Sequence, residues 1–161
     1  MVRCRRIGHP LLKEGMQAVS LSPLDTRYAP HALAALRIVA GLLFLAHGLV
    51  KLFGFPPDAA PGPQEPLSLL GVGAAIELVT GTLVVLGLFT RAAAFLASGE
   101  MAVAYWLAHA PHSFYPAVNG GDAAILFCFV FLYIAAAGPG AFSLDGVLRR
   151  LGSSPKRVAR A

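Results

Sequence analysis

Five ionisable side chains interrupt stretches that are otherwise apolar: Arg37, His47, Lys51, Glu77 and Glu100. A charged side chain in the middle of a bilayer costs at least ~2.5 to 3.5 kcal/mol, so each is expected to face protein and find a partner there. Two chemistries suit these residue types. Glu77, Glu100 and His47 can take up and release protons, and His47, Lys51 and Arg37 can donate hydrogen bonds to a polar ligand. The competing explanation is packing alone, in which buried ion pairs and hydrogen bonds decide which helix lies against which.

A second group lies in "HAPHSFYPAVNGGD", residues 109–122, where His109 and His112 flank Pro111 close to Trp106, Phe114 and Tyr115. Aromatic residues in such a place anchor helix ends at the membrane interface. His109, His112 and Asp122 are candidate ligand-binding residues; Asp122 is most simply a helix N-cap and is also placed to hold His112 or Lys51. Two histidines without a Cys or carboxylate-rich motif fall short of a metal-ligand set, so no metal site is assigned. Cys4 and Cys128 form no CxxC motif. Cys128 is expected as a small buried hydrophobe rather than a redox thiol. Phosphate-cradling glycine loops, nucleophile elbows and haem-attachment motifs are absent from the sequence.

The elements that must position these groups follow from composition. Over 161 residues, 57% are hydrophobic and 13% charged, with a mean hydropathy of +0.68. Apolar runs recur at 32–54, 67–89, 91–110 and 122–138. The fourth is short, reaching about 25 Å at ~1.5 Å per residue. "FPPDAAPGPQEP" (55–66) holds five prolines, "PHSFYPAVNGG" (111–121) two, and "LFTR" is a tight link. The expected fold is an all-α membrane protein, a four-helix transmembrane bundle over 32–146. An N-terminal tail (1–31) and a basic tail (147–161) flank it. The N-terminal stretch lacks the uninterrupted apolar core of a cleaved signal peptide. "KEGM" at 13–16 is encodable by a purine-rich ribosome-binding sequence, so translation is expected to begin at Met16, with 1–15 a mis-assigned start.

Lys and Arg set the orientation. Arg3, Arg5, Arg6, Lys13 and Arg27 precede the first run, Arg91 stands in the tight link, and Arg149, Arg150, Lys156, Arg157 and Arg160 close the chain. By the positive-inside rule both termini are cytoplasmic and the two proline-rich loops face outward. The net charge of +5 therefore implies topology and anionic-lipid contact, not nucleic acid.

At ~100° per residue, Arg37, Gly41, Phe44, Gly48 and Lys51 share one face of the first helix, with His47 on its edge. Gly73, Glu77 and Gly81 recur every four residues in the second, and Ala93, Ala97, Glu100 and Ala104 form a stripe on the third; small neighbours let another backbone come close. Measured from the cytoplasmic ends, Arg37 lies about 8 Å deep, Glu100 about 14 Å, Glu77 about 16 to 18 Å and His47 about 22 Å. Arg37 is thus expected to snorkel or to reach up to Glu100, and His47 and Lys51 to reach down towards Glu77.

"AHGLVKLFGF" (46–55), "AAIELVTGTLVVLGLFTR" (74–91), "EMAVAYWLAHAPHSFYPAVNGGD" (100–122) and "FCFVFLYIAAAGPGAFSLD" (127–145) occur in order and without large gaps. Together they closely resemble the DoxX family of small bacterial membrane proteins, across about residues 33–146. The resemblance implies a four-helix fold in the inner membrane. The family is named for subunits resembling those of a thiosulfate:quinone oxidoreductase, and other members are associated with membrane redox complexes handling thiols or oxidative stress. His47, Gly48, Lys51, Gly54, Glu77, Arg91, Glu100, His109, His112 and Asp122 match the family pattern; Val50 stands where Gln is common and Asp122 where Glu is common.

The expected function is therefore a subunit of a quinone-linked or thiol-linked membrane redox system. Quinone is the candidate cofactor that the resemblance implies; no electron-carrying centre of the chain's own is evident, so electrons are expected from a partner subunit or directly from substrate. His47 and Lys51 would donate to the quinone oxygens, and Glu77 and Glu100 would handle protons. The alternatives are a non-catalytic anchor or assembly factor and a small-solute transporter. The candidate partners are the lipid bilayer, a redox subunit and a second copy of the chain.

Overall fold

The computed structural model describes residues 23–152. The described chain is helical in six segments: α1 (Pro23–Phe53), α2 (Leu69–Leu86), α3 (Thr90–Ala104), α4 (Pro116–Asn119), α5 (Asp122–Ala137) and α6 (Leu144–Gly152). A π-helical turn, Tyr105–His109, continues α3. The proposed start at Met16, Cys4, the N-terminal arginines through Arg6, Lys13 and the tail from 153 onward lie outside the described residues.

Local chemistry accounts for the helix ends. Ser68 begins α2 by accepting a hydrogen bond from Gly71 N at 3.0 Å, and Gly87 ends it in a left-handed conformation at φ 67°. The prolines of 55–66 keep α1 and α2 apart. α1 starts at Pro23, not near residue 32, and carries Pro30 inside it. Apolarity marks where a helix enters hydrocarbon rather than where it begins, which is why the upstream turns escape a hydropathy reading. α6 likewise takes up residues that read as the start of a basic tail.

α1 packs on α2, α2 on α3, α3 on α5, and α5 returns to α1. The α1–α2 seam is close because of glycine: a Cβ at Gly48 would lie 2.8 Å from Leu78 N, and one at Gly81 would lie 3.0 Å from Leu45 N. The predicted face of α1 is the one that turns inward, with Arg37, Gly41, Phe44 and Gly48 buried and Lys51 half-buried. Phe44 meets Phe131 edge-on at 4.8 Å, and Val84, Ala94, Ala97 and Ile134 complete the core. The outward faces are also apolar, with Leu42, Leu43, Val79, Phe95, Leu96 and Phe129 exposed. A surface this apolar matches a lipid solvent.

By length and composition, two described helices suffice to cross a membrane: Arg27–Phe53 within α1 and Leu69–Leu86, each with mean hydropathy 2.1. α5 is apolar but only 16 residues long, and α3 is α-helical for 15 residues before its π turn.

Candidate functional site

α1 and α2 bring Lys51 and Glu77 together through their glycine seam. Lys51 Nζ donates to Glu77 Oε1 at 2.6 Å, with Glu77 only 1% exposed and Lys51 17%. Glu100 comes up to α2 from α3 and lines the same groove as Lys51. A Cβ at Gly73 would lie 3.3 Å from Glu100 Oε1, so the carboxylate sits against the bare backbone of α2. Among the described residues, Glu77 Oε2 and Glu100 Oε2 are buried without a hydrogen-bond partner. An unpartnered buried oxygen is costly, and such atoms mark either strain or a place where a ligand binds.

Lys51 and Glu100 open onto a groove of about 810 Å³ between α2 and α3. Its walls are apolar, including Leu70, Val79, Phe95, Leu96, Val103 and Leu107, and Thr80 is the other polar side chain on them. The Thr80 hydroxyl donates to the Ile76 carbonyl at 2.6 Å. A pocket of this size, apolar with a few convergent polar groups, fits an amphiphilic small molecule.

The other predicted residues go elsewhere. Arg37 does not reach Glu100. It is fully buried and donates to five backbone carbonyls: Pro139 at 2.8 Å, Val84 and Val85 at 2.6 Å each, Phe142 at 2.9 Å and Ala141 at 3.4 Å. The ends of α2 and α5 present more carbonyls than they have N–H donors, and a guanidinium satisfies several at once. His47 does not reach Glu77 either. It is exposed, its Nδ1 lies 2.8 Å from the Leu43 carbonyl oxygen, and its ring meets Phe127 edge-on at 5.8 Å. One helical turn from Lys51 is enough to carry it round to the outer edge.

His109 is half-buried, with Nδ1 3.1 Å from the Asn119 carbonyl oxygen and its ring stacked on Tyr105 at 6.4 Å. His112 is exposed. Asp122 is exposed in the first turn of α5; Gly121 takes the N-cap position, and no hydrogen bond joins Asp122 to His112 or Lys51. Among the described residues no cluster of three or more His, Cys, Asp or Glu could hold a metal ion. Cys128 is half-buried, and its carbonyl accepts a hydrogen bond from the Ser98 hydroxyl at 2.8 Å.

Sequence reasoning missed Asp145. The N-cap position of α3 is Phe89, which has no side-chain acceptor. Asp145 supplies it from α6, accepting from Phe89 N and Thr90 N at 2.9 Å each and from the Thr90 hydroxyl at 2.8 Å. Partial burial pushes its pKa up, but the Thr90 and Phe89 hydrogen bonds and the Arg149 charge outweigh this and hold it below the usual carboxylate range. The cap is therefore fully charged above about pH 4 and is lost as pH falls through the lowered value. Asp145→Asn is expected to lower the unfolding midpoint at pH 7 by the equivalent of about 1 kcal/mol. It should also flatten the acid limb below pH 4, and an unchanged acid limb would refute the cap. The signal in the sequence is a helix that opens on "LFTR" with no Ser, Asp or Asn ahead of it.

The DoxX family profile matches residues 32–110, from α1 to the π turn. That span holds Lys51, Glu77 and Glu100 and stops before His112 and Asp122. An uncharacterized protein of Haemophilus influenzae is 42% identical over 125 residues, 74% of this chain and 92% of that one. An uncharacterized membrane protein of Mycobacterium tuberculosis is 35% identical over 86 residues, 50% of this chain and 52% of that one. No solved structure matches the chain. A relative of this identity along nearly its whole length, with the profile lying over the three helices that carry the buried charges, places the chain in the DoxX family of membrane proteins.

Proposed function

We propose that the chain is the membrane subunit of a quinone-linked redox system and that the α2–α3 groove is its quinone site. One observation carries this: an apolar groove of about 810 Å³ with Lys51 and Glu100 on its wall, next to a Glu100 oxygen that has no partner. A quinone, when bound, supplies two-electron, two-proton chemistry. Lys51, already oriented by Glu77, has further N–H donors for a carbonyl oxygen. Glu100 is placed to pass a proton to or from the groove, and Glu77 keeps Lys51 in position through their 2.6 Å contact. Val79, Phe95, Leu96 and Val103 exclude water and cover an apolar tail. With no electron-carrying motif in the sequence, electrons enter from a partner subunit or from a thiol-type substrate.

The same proposal has α1, α2, α3 with its π turn, and α5 crossing the inner membrane, with both termini cytoplasmic. Thr90 to His109 would span about 30 Å at ~1.5 Å per residue. The shorter α5 would fit by thinning the bilayer or standing upright.

Glu100→Gln tests the site, because it keeps shape and removes the proton carrier. In membranes containing the partner system, quinone reduction is expected to fall by about 10² or more, with the unfolding midpoint and partner recovery unchanged. Full quinone reduction by Glu100→Gln sinks the proposal. Arg37 favours the second reading, a non-catalytic anchor, since its charge serves carbonyls of the fold alone. In that case Glu100→Gln alters neither activity nor partner recovery.

A further inference from the structure

α6 exposes Leu144, Val147, Leu148 and Leu151 at i, i+3, i+4 and i+7, one continuous apolar stripe. Arg149 and Arg150 fall on either side of it, about 100° or more from its centre line. An apolar stripe flanked by arginines is the pattern of a helix lying in a membrane interface, with guanidinium groups reaching up to phosphates.

This helix is fixed in place. Asp145 caps α3, Asp145 N donates to the Gly87 carbonyl at 2.9 Å, and Gly146 N donates to the Ser143 hydroxyl at 3.2 Å. α6 therefore lies against the end of the bundle where α2 turns into α3 and α5 stops. Phe89 and Phe142 are exposed at this end, as aromatic residues are at a membrane surface.

Between α6 and the bundle is a cavity of about 410 Å³ whose wall includes Phe89, Arg91, Pro139, Leu148 and Arg149. Arg91 Nη1 donates to the Ala135 and Ala136 carbonyls at 2.9 and 2.6 Å, which holds the guanidinium at the cavity wall. Arg149 Nε donates to the Asp145 carbonyl at 3.3 Å. Its terminal nitrogens make no hydrogen bond among the described residues. The Asp145 carboxylate, the one acid on the wall, is already taken by Phe89 and Thr90. The cavity wall thus carries two guanidinium groups together with the apolar side chains of Leu148 and Phe89.

We propose that this cavity binds an anionic phospholipid. Its headgroup phosphate lies between Arg91 and Arg149, and its acyl chains run over Leu148 and Phe89 onto the apolar stripe of α6. The guanidinium fork matches phosphate oxygens. Free phosphate would leave the apolar side chains of the wall uncovered. A zwitterionic lipid would bring its own cation against the two arginines.

Native mass spectrometry of the full chain in detergent, with phosphatidylglycerol or phosphatidylcholine of the same acyl chains, tests this. Phosphatidylglycerol is expected to be retained about tenfold or more in preference. Arg149→Gln should reduce that preference about fivefold while lowering the unfolding midpoint by less than Asp145→Asn does, because the Phe89 and Thr90 hydrogen bonds to the cap remain. Leu148→Asn should weaken both lipids, and inorganic phosphate should displace neither. Equal retention of the two lipids by the wild type overturns the proposal, as does an unchanged preference in Arg149→Gln. Displacement by inorganic phosphate would make this a phosphate site instead. Photo-crosslinking from position 151 into protein rather than lipid would make α6 a protein-docking helix.

Discussion

Arg37→Ala is expected to yield little folded protein, a loss of roughly 3 to 5 kcal/mol against a total stability of about 5 to 15. The guanidinium ties α1 to the last turn of α2 and to the 139–142 segment after α5 through five carbonyls. Helix C-termini carry partial negative charge and unpaired carbonyls, so a cation there is favoured twice over, by dipole and by hydrogen bonds. Truncation takes the donor from the buried Pro139 carbonyl and from the part-buried carbonyls of Val85, Ala141 and Phe142, while Val84 O keeps the Gly87 N–H. Each orphaned group costs about 1 to 3 kcal/mol. Arg37→Lys is expected to fail nearly as badly, since an ammonium offers three donors from one point and cannot address carbonyls on both sides of a planar fork. Thermal unfolding in detergent, read by labelling of half-buried Cys128, measures this. An Arg37→Ala protein within about 1 kcal/mol of wild type would mean that the clamp is not a principal tie of the fold.

The Lys51–Glu77 pair is expected to behave differently, and the contrast separates packing from chemistry. Glu77→Ala leaves the half-buried Lys51 ammonium without its hydrogen-bonded counter-charge, and Lys51→Met leaves a fully buried carboxylate with both oxygens unpaired. Either change is expected to destabilise by about 3 to 5 kcal/mol. The double change Lys51→Met with Glu77→Leu removes both charges at similar volume and is expected to restore most of the lost stability. If the pair serves only packing, the double variant also keeps the activity of the redox system. If it forms the wall of a quinone site, the double variant folds and is inactive. A full double-mutant cycle on stability, with quinone reduction assayed at each corner, reads both. Additive single effects would show that the 2.6 Å contact carries no coupling.

The long helices and the inward faces were legible because they follow from periodicity. Gly41, Gly48 and Gly81 at helical spacing announced a close α1–α2 seam, and the small-residue neighbours of Glu77 and Glu100 announced that these carboxylates face protein. Periodicity places a residue on a face to within a few tens of degrees. That suffices for Lys51 and Glu77, whose long side chains tolerate the error. It does not suffice for His47, one turn away, whose short rigid ring remains on the outer edge against Phe127.

Arg37 shows a second limit. Depth counting paired charge with charge and found Glu100 within reach, but backbone carbonyls do not appear in a sequence as acceptors. They become so only where "GPG" at 138–140 and Gly87 break α5 and α2 and leave carbonyls unpaired. The same holds for Asp145, 55 residues from the Thr90 hydroxyl and main-chain N–H that it caps.

The sequence by itself determined a membrane-type helical protein of the DoxX family, with Lys51, Glu77 and Glu100 on inward faces, because solvent preference and helical phase are properties of residue types in order. Only the tertiary structure decided which partner each buried charge takes and that an apolar groove opens beside Glu100. Those depend on where helix ends leave carbonyls bare and on how far α2 and α3 stand apart, distances that no residue type encodes.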